Sequence, residues 1–357
     1  MANIPTSQAE YRLNGSGSFD VLKLNKNAAV PAPRHGEVLV RVHAVSLNNR
    51  DLQVANGTYP GANHNIIPCS DGAGEVAAVG ADVKKWKVGD KVMATFTQDL
   101  LAGDVDDPAL FNTMLGGGCN GMLTQYRVLP AHGLVAMPEK YSFEEAATLV
   151  CAPVTVYNAL FGGNNPIKPG AWVVLQGTGG VSVAGAQMVI AAGGNAIITS
   201  SSDEKLQKVK QHINNSHNHG GAGRLFTINY KKTPDWDKEV LKLTKNGRGA
   251  DKVIEIGGAG TLEKTFSCLR QGGEVDNIGY LATGEPPNLQ MPVLLKSAHF
   301  RGVLIGARKH LEDLVDFLET ANLHPLIDRV FSFEQAKEAY QYMSEAKMVG
   351  KVVIRVD

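Results

Sequence analysis

The residues most suggestive of chemistry are glycines. Gln176-Gly-Thr-Gly-Gly-Val-Ser182 follows an apolar run, Ala171 to Leu175, and opens onto a second apolar stretch rich in small residues, 181–192. A strand that turns through such a loop into a helix is built to receive a pyrophosphate. Gly177 permits the tight turn and Gly179 lets the backbone approach the phosphate. Gly180 and Val181 lead into a helix start whose free N–H groups and positive dipole end favour an anion. The third glycine of the usual fingerprint is replaced by Ser182, small enough for close helix–strand packing, as is Ala186 a turn later.

The adenosine ribose of a dinucleotide is met after the following strand, about 20 residues on. Here that strand runs into Ser200, Ser201 and Ser202. A site selective for NAD needs a carboxylate there, to accept hydrogen bonds from the ribose hydroxyls. Serines with Lys205 beyond them suit a 2′-phosphate instead, which asks for donors and positive charge. Asp203 and Glu204 argue the other way, but they stand where the next helix should begin and are placed to cap it. The expected cofactor is NADPH. Cys69, Cys119, Cys151 and Cys268 form no CxxC pair, so no disulfide framework is expected and the chain reads as reduced and cytoplasmic. His212, His217 and His219 fall in a polar stretch, 211–223, whose composition predicts a solvated surface loop without a regular metal-ligand spacing.

Three zones must position these groups. Residues 36–138 read as short strands between turns: Val38, Val40 and Val42 alternate with other residues, and 72–80 and 88–93 repeat the strand-and-glycine habit. That pattern suits a partly open β-barrel. Residues 155–306 change to strand, loop, helix. Strands are expected at 172–176, 196–199, 225–228, 252–256, 273–278 and 300–305, and helices at 181–192, 203–211, 236–244 and 261–269. Short apolar strands alternating with helices predict a parallel, doubly wound sheet. Residues 309–357 carry two helical segments and a last strand, 351–356, expected to pair with the first zone.

The bulk properties agree. A chain of 357 residues suggests two domains. Its 43% hydrophobic and 20% charged residues give a globular profile, and 35 basic against 35 acidic residues create no field to attract nucleic acid or an anionic membrane. No run of about 18 apolar residues offers a membrane span. The N-terminal segment lacks the basic and apolar regions of a secretion signal.

Several short segments together resemble the medium-chain dehydrogenase/reductase superfamily, in its zinc-free quinone oxidoreductase-like branch. They are AVSLNNRDL (44–52), GTYP (57–60), GAGEVAAVG (72–80), VGDKV (88–92), CAPVTVYNAL (151–160), the phosphate loop, NYK (229–231) and GKVV (350–353). The resemblance covers nearly the whole chain. It implies a GroES-like barrel domain formed by both chain ends, 1–150 and 308–357, with a Rossmann domain, 151–307, inserted between them. Zinc-dependent members carry a cysteine, a histidine and a cysteine where this chain has Asn48, Ser70 and Cys151, and a four-cysteine lobe where it has the loop 98–118. The resemblance therefore implies no metal, with Cys151 a small buried hydrophobe.

By the same resemblance, Tyr59 stands where relatives place a tyrosine that protonates or hydrogen-bonds the substrate, or else only lines the pocket. Asn48 is expected near the nicotinamide and Thr155 against its ring. Lys205 and Tyr230 match positions that bind the 2′-phosphate. Gly257, Gly279, Leu304, Ile305 and Gly306 match the groove for ribose and carboxamide. Arg50 and Asp51 are expected to pair with each other as scaffold.

The expected reaction is hydride transfer from NADPH to an α,β-unsaturated carbonyl or a quinone, the small-molecule partner. An alcohol dehydrogenase or ketoreductase on the same fold, and a cofactor-binding protein with a structural or regulatory role, are the alternatives. The apolar strand 300–305 is expected at a sheet edge, where it would pair two subunits into a homodimer.

Overall fold

In the computed structural model, which describes residues 4–216, 223–282 and 284–356, two antiparallel strands precede the first strand that the sequence predicts: β1 (Ser7–Leu13) and β2 (Leu22–Ala29). The alternating valines then form β3 (Glu37–Leu47), with Val38, Val40 and Val42 at most 1% exposed. Leu39 on the opposite face is buried as well, while Arg41 two residues on is exposed. A helix follows, α1 (Asn49–Asn56), then β4 (Asp71–Val79), β5 (Lys91–Ala94), β6 (Tyr126–Pro130), β7 (Leu134–Ala136) and the short α2 (Phe143–Ala147). No helix is expected from the sequence at α1. It is only two turns long, and its apolar residues, Leu52, Val54 and Ala55, are too few to display a period.

The strand–helix zone opens with α3 (Ala152–Phe161) and β8 (Trp172–Gln176). It continues with α4 (Gly180–Ala191), β9 (Asn195–Ser200), α5 (Asp203–Ser216), β10 (Arg224–Asn229), α6 (Trp236–Leu243), β11 (Ala250–Glu255), α7 (Leu262–Cys268) and β12 (Leu269–Asn277). It ends with α8 (Gln290–Lys296) and β13 (His299–Gly302). The six strands form one parallel sheet in the order β10-β9-β8-β11-β12-β13, the doubly wound arrangement. Its core includes Val174, Ile197, Ile228, Val253 and Val275 from the strands and Trp236, Val240, Leu262 and Phe266 from the helices.

The tail supplies α9 (Arg308–Ala321), β14 (Ile327–Phe331), α10 (Ala336–Ser344) and β15 (Lys351–Arg355). As expected, β15 returns to the first zone and pairs antiparallel with β3, giving the order β14-β15-β3-β4-β5-β7 with β6 on β3. β14 is unforeseen: among the described residues it pairs with β15 alone, and Asp328 and Arg329 interrupt its apolar residues. The chain divides into two units, Met1–Val154 with Ile305–Thr320 and Ile327–Asp357, and Thr155–Leu304 with Ala321–Leu326.

Two expectations are corrected. The strand expected at 300–305 ends at Gly302. The loop expected at 211–223 is helical as far as Ser216 because Leu206, Val209 and Ile213 put a buried stripe on α5. His212 is accordingly no solvated ligand. Its Nε2 lies 3.1 Å from both Gln187 Nε2 and the carbonyl of His324, and burial lowers its pKa. His217 and His219 lie outside the described residues.

Candidate active site and cofactor loop

Three neighbouring strands assemble a buried polar cluster in the first unit. Val352 of β15 faces Leu47 of β3, and Ser46 of β3 faces Asp71 of β4, so Lys351, Asn48 and Asp71 meet at one end of the strands. There α1 begins. Asn48 is its N-cap, and its N–H donates to Asp51 Oδ2 at 2.8 Å, while Gly57 ends the helix at φ 75°. The Lys351 ammonium, 5% exposed, donates to Leu47 O at 2.8 Å and Asn48 Oδ1 at 2.5 Å and lies 3.5 Å from Asp71 Oδ2. Ser70 Oγ donates to Asp71 Oδ1 at 2.7 Å. Arg50 Nη1 donates to Asp51 Oδ1 at 3.2 Å and to the carbonyls of Leu115 and Gly116 at 2.9 and 3.0 Å. The expected Arg50–Asp51 pair is thus present, and it is buried.

Burial raises the Asp51 carboxyl to about 6 against the pull of Arg50, and raises Asp71 against the pull of Lys351. Asn48 Nδ2 is near enough to Asp71 to favour its carboxylate, yet makes no hydrogen bond of acceptable geometry. Asn48 is therefore held by its oxygen, with its amide N–H groups enclosed. Tyr59, just past the end of α1, is half-buried against the core, with the Arg50 guanidinium 5.0 Å over its ring and 5.0 Å over that of Phe96.

These donors do not fit zinc. Asn48 Oδ1 already accepts from an ammonium, Ser70 spends its proton on Asp71, and burial pushes the Cys151 thiol far up, toward its protonated form. Zinc prefers three strong nitrogen, thiolate or carboxylate ligands, and among the described residues no group of three His, Cys, Asp or Glu side chains is placed to hold a metal.

The second unit holds the glycine loop. Gly177 has φ 76°, which a side chain would strain, and Gly179 is the N-cap of α4. A Cβ at Gly179 would meet none of the described residues within 4 Å, so among them the space before the helix start is open. Ser182 Oγ donates to Gln176 O at 2.5 Å and ties the first turn to the end of β8. An open backbone cradle at a helix N-terminus fits the phosphates of a dinucleotide.

At the end of β9, Ser200 is buried and Ser201 and Ser202 are half-buried. Ser202 caps α5: its Oγ accepts the Lys205 N–H at 3.4 Å. Asp203 does not act as a cap. Its carboxylate pairs with Lys232 and accepts from Asn229 Nδ2 at 2.7 Å, and these contacts lower its pKa. Tyr230 is 41% exposed, and its N–H donates to Ser200 O at 3.0 Å. Ser200 is the last residue of β9; Gly177, Gly179, Gly180, Val181, Ser201, Lys205, Tyr230, Gly257 and Gly279 follow the carboxyl ends of the parallel strands, and Leu304 follows β13. Thr155 is buried in α3. Asn48, Tyr59, Ile305 and Gly306 belong to the other unit.

Lys351, Asp71 and Glu255 are not among the site residues expected from the sequence. Each carries a signal, because a charged residue within or bounding an apolar strand (GKVVI, SDGAG, KVIEI) is costly to bury without a purpose.

Residues 34–139 match the Alcohol dehydrogenase GroES-like domain family and residues 180–320 the Zinc-binding dehydrogenase family. The second span excludes Asn48, Ser70 and Cys151. The chain is 43% identical to a zinc-type alcohol dehydrogenase-like protein of Schizosaccharomyces pombe, over 95% of this chain and 96% of that one. A putative alcohol dehydrogenase from Sinorhizobium meliloti 1021 shares its structure at TM-score 0.87 and 35% identity, covering 99% of this chain and all of that one. A quinone oxidoreductase of Pseudomonas syringae does so at 0.79 and 25%, covering 98% and all of that chain. With a GroES-like domain, a Rossmann-like parallel sheet and this likeness along nearly its full length, the chain belongs to the medium-chain dehydrogenase/reductase superfamily of oxidoreductases.

Proposed function

We propose that the chain is an NADPH-dependent reductase that passes hydride to an α,β-unsaturated carbonyl or a quinone without a metal. The observation that carries this reading is the charge balance of the buried cluster: two cations, Arg50 and Lys351, against two carboxylates, Asp51 and Asp71. A divalent ion there would add positive charge beside two cationic side chains and find both carboxylates already matched.

The dinucleotide, when bound, supplies the hydride. Gly177, Gly179, Gly180 and Val181 would hold its pyrophosphate. Ser200, Ser201, Lys205 and Tyr230 would take the 2′-phosphate, and the engagement of Asp203 by Lys232 and Asn229 supports this, since that carboxylate's charge is already offset. Thr155, Gly257, Gly279, Leu304, Ile305 and Gly306 would contact the nicotinamide half. Tyr59 would hydrogen-bond the substrate oxygen or give it a proton, with Arg50 as a fixed positive charge beside the ring. Asn48, bonded to Lys351, would act mainly by fixing the end of β3 and the start of α1.

The test is a screen of NADPH oxidation over enones, quinones, aldehydes and ketones, with zinc measured on the same preparation. Turnover of enones or quinones with well under one zinc per chain supports the reading. Stoichiometric zinc whose removal abolishes turnover overturns it. The names of the relatives favour a second reading, an alcohol dehydrogenase or ketoreductase, which turnover confined to ketones, aldehydes and alcohols would establish. Tight NADPH binding with no turnover of any class would instead favour a structural or regulatory role.

We also propose a homodimer. β13 is the sheet's edge strand, and Phe300 on it, Leu304 after it, and Met291, Leu294 and Leu295 on the preceding α8 are 41–67% exposed, an apolar surface a second copy would cover. Light scattering giving a monomer at micromolar concentration would refute this.

A further inference from the structure

In the parallel sheet, succession reverses between β8 and β11, which lie side by side with Val174 opposite Val253 and Leu175 opposite Ile254. Doubly wound sheets bind ligands in the crevice outside the carboxyl ends of the strands at that reversal. Its two walls here are the glycine loop after β8 and the segment 256–261 after β11. One buried pair of side chains joins them.

Glu255, the last residue of β11, is fully buried. Its Oε1 accepts from the backbone N–H groups of Gly257 and Gly258 at 2.8 and 2.9 Å and from Thr261 Oγ1 at 2.5 Å. Its Oε2 accepts from Thr265 Oγ1 at 2.5 Å and from Gln176 Nε2 at 2.7 Å. Gln176, the last residue of β8, returns the contact: its Oε1 accepts from the N–H groups of Ile256 and Gly257, both at 3.2 Å. The segment 256–258 is thus anchored from both strands, and Gly177 begins directly after one anchor. Among the described residues Glu255 forms no ion pair. Holding the turn that leads into α7 would need only the Thr261 and Gly258 contacts. The bonds to Gln176 do something else: they fix the separation of the two walls.

We propose that Glu255 is a positioning residue for the dinucleotide, setting through Gln176 the width of the crevice that receives it. The proposal rests on the dinucleotide reading above. Glu255→Gln would set one amide NH2 against the NH2 of Gln176, so the walls would part or one amide would turn away from the glycine backbone. The exchanged pair, Gln176→Glu with Glu255→Gln, restores the pattern. The amide then at position 255 keeps its oxygen on Gly257 and Gly258 and donates to the carboxylate at position 176, whose other oxygen accepts from Ile256 and Gly257.

The experiment titrates NADPH and NADH into the intact chain, by protein fluorescence, for the parent, the single variant and the exchanged pair, with thermal unfolding measured alongside. Glu255→Gln should weaken whichever dinucleotide the parent binds by roughly tenfold or more, and the exchanged pair should return to within about threefold of the parent. A single variant that melts earlier but binds as the parent does overturns the proposal, since Glu255 is then merely structural. Weak binding that the exchange does not rescue overturns it too. Should Glu255→Gln fail to fold, the exchanged pair decides alone, because it keeps the bonds between the walls and must still bind. A parent that binds neither dinucleotide defeats the functional reading itself, a result separable from all of these.

Discussion

Lys351→Met removes an ammonium and keeps a flexible stem of nearly the same length, so its cost isolates the charge. In the folded chain the ammonium donates to Leu47 O at 2.8 Å and Asn48 Oδ1 at 2.5 Å and stands 3.5 Å from Asp71 Oδ2, which makes no hydrogen bond of its own. Breaking one side of a buried ion pair costs about 3–5 kcal/mol, because the partner stays buried and unmatched. Each lost charge-assisted bond is worth about 1.5–3 kcal/mol, but these overlap with the first figure and do not add to it. The expected loss is about 4 kcal/mol at pH 8, a large share of a stability of about 5–15 kcal/mol. It should shrink toward pH 5. Burial already raises the Asp71 pKa, and without Lys351 that carboxyl can escape its charge by taking a proton. The assay is urea unfolding of parent, Lys351→Met, Asp71→Asn and the double variant at both pH values. Removing both charges should restore about 1–3 kcal/mol relative to adding the two single losses. A Lys351→Met variant within about 1 kcal/mol of the parent at pH 8, or strict additivity with Asp71→Asn, would show that the pair does not hold this end of the sheet together.

The Asp51 carboxyl titrates in the folded chain at about 6, above its ordinary 3.8. The folded state therefore holds this proton more tightly, so its contribution to stability is full below about pH 4 and fades as pH rises through 6, by about 3 kcal/mol. Asp51→Asn should flatten that part of the stability–pH curve, and an unchanged slope between pH 4 and 6 would disprove the assignment. Lys205→Ala should weaken NADPH roughly tenfold and leave NADH nearly alone; equal affinity of the parent for both cofactors would remove the case for a 2′-phosphate site. Tyr59→Phe should lower kcat with enones by roughly tenfold to a thousandfold while NADPH affinity holds. Reduction of enones at the parental rate would make Tyr59 only a wall of the pocket.

Much of the fold is legible in the sequence because its periods are local. The strand at 172–176 can be read to the residue, and the helices at 181–192, 236–244 and 261–269 to within one: the first two are continuous apolar runs bounded by glycines, and the other two space their apolar residues at helical intervals after a proline or a threonine. The errors lie where packing overrules composition. Residues 211–216 are polar enough for a loop, but Ile213 completes a buried stripe begun at Leu206 and Val209 and draws α5 onward. β14 is held by its pairing with β15, a contact between segments with no shared local signal. The candidate site divides the same way. The glycine loop is contiguous in sequence and can be picked out there, whereas the Lys351–Asn48–Asp71 cluster exists only once three strands are aligned.

That alignment gives the chain's return to its first zone a chemical consequence. Asp51 finds its counter-charge next door, on Arg50, and the pair comes with the helix that carries it. Asp71 has no cation nearby in sequence; the one beside it sits at the start of the last strand, at the far end of the chain. Pairing β15 with β3 therefore does more than extend a sheet, because it delivers the positive charge that lets β4 begin with a buried carboxylate. With this cation in place, the two carboxylates of the cluster each have a cationic partner. The meeting of the two chain ends also fixes Asn48, through its bond to Lys351, at the start of the helix whose Arg50 stands over the ring of Tyr59.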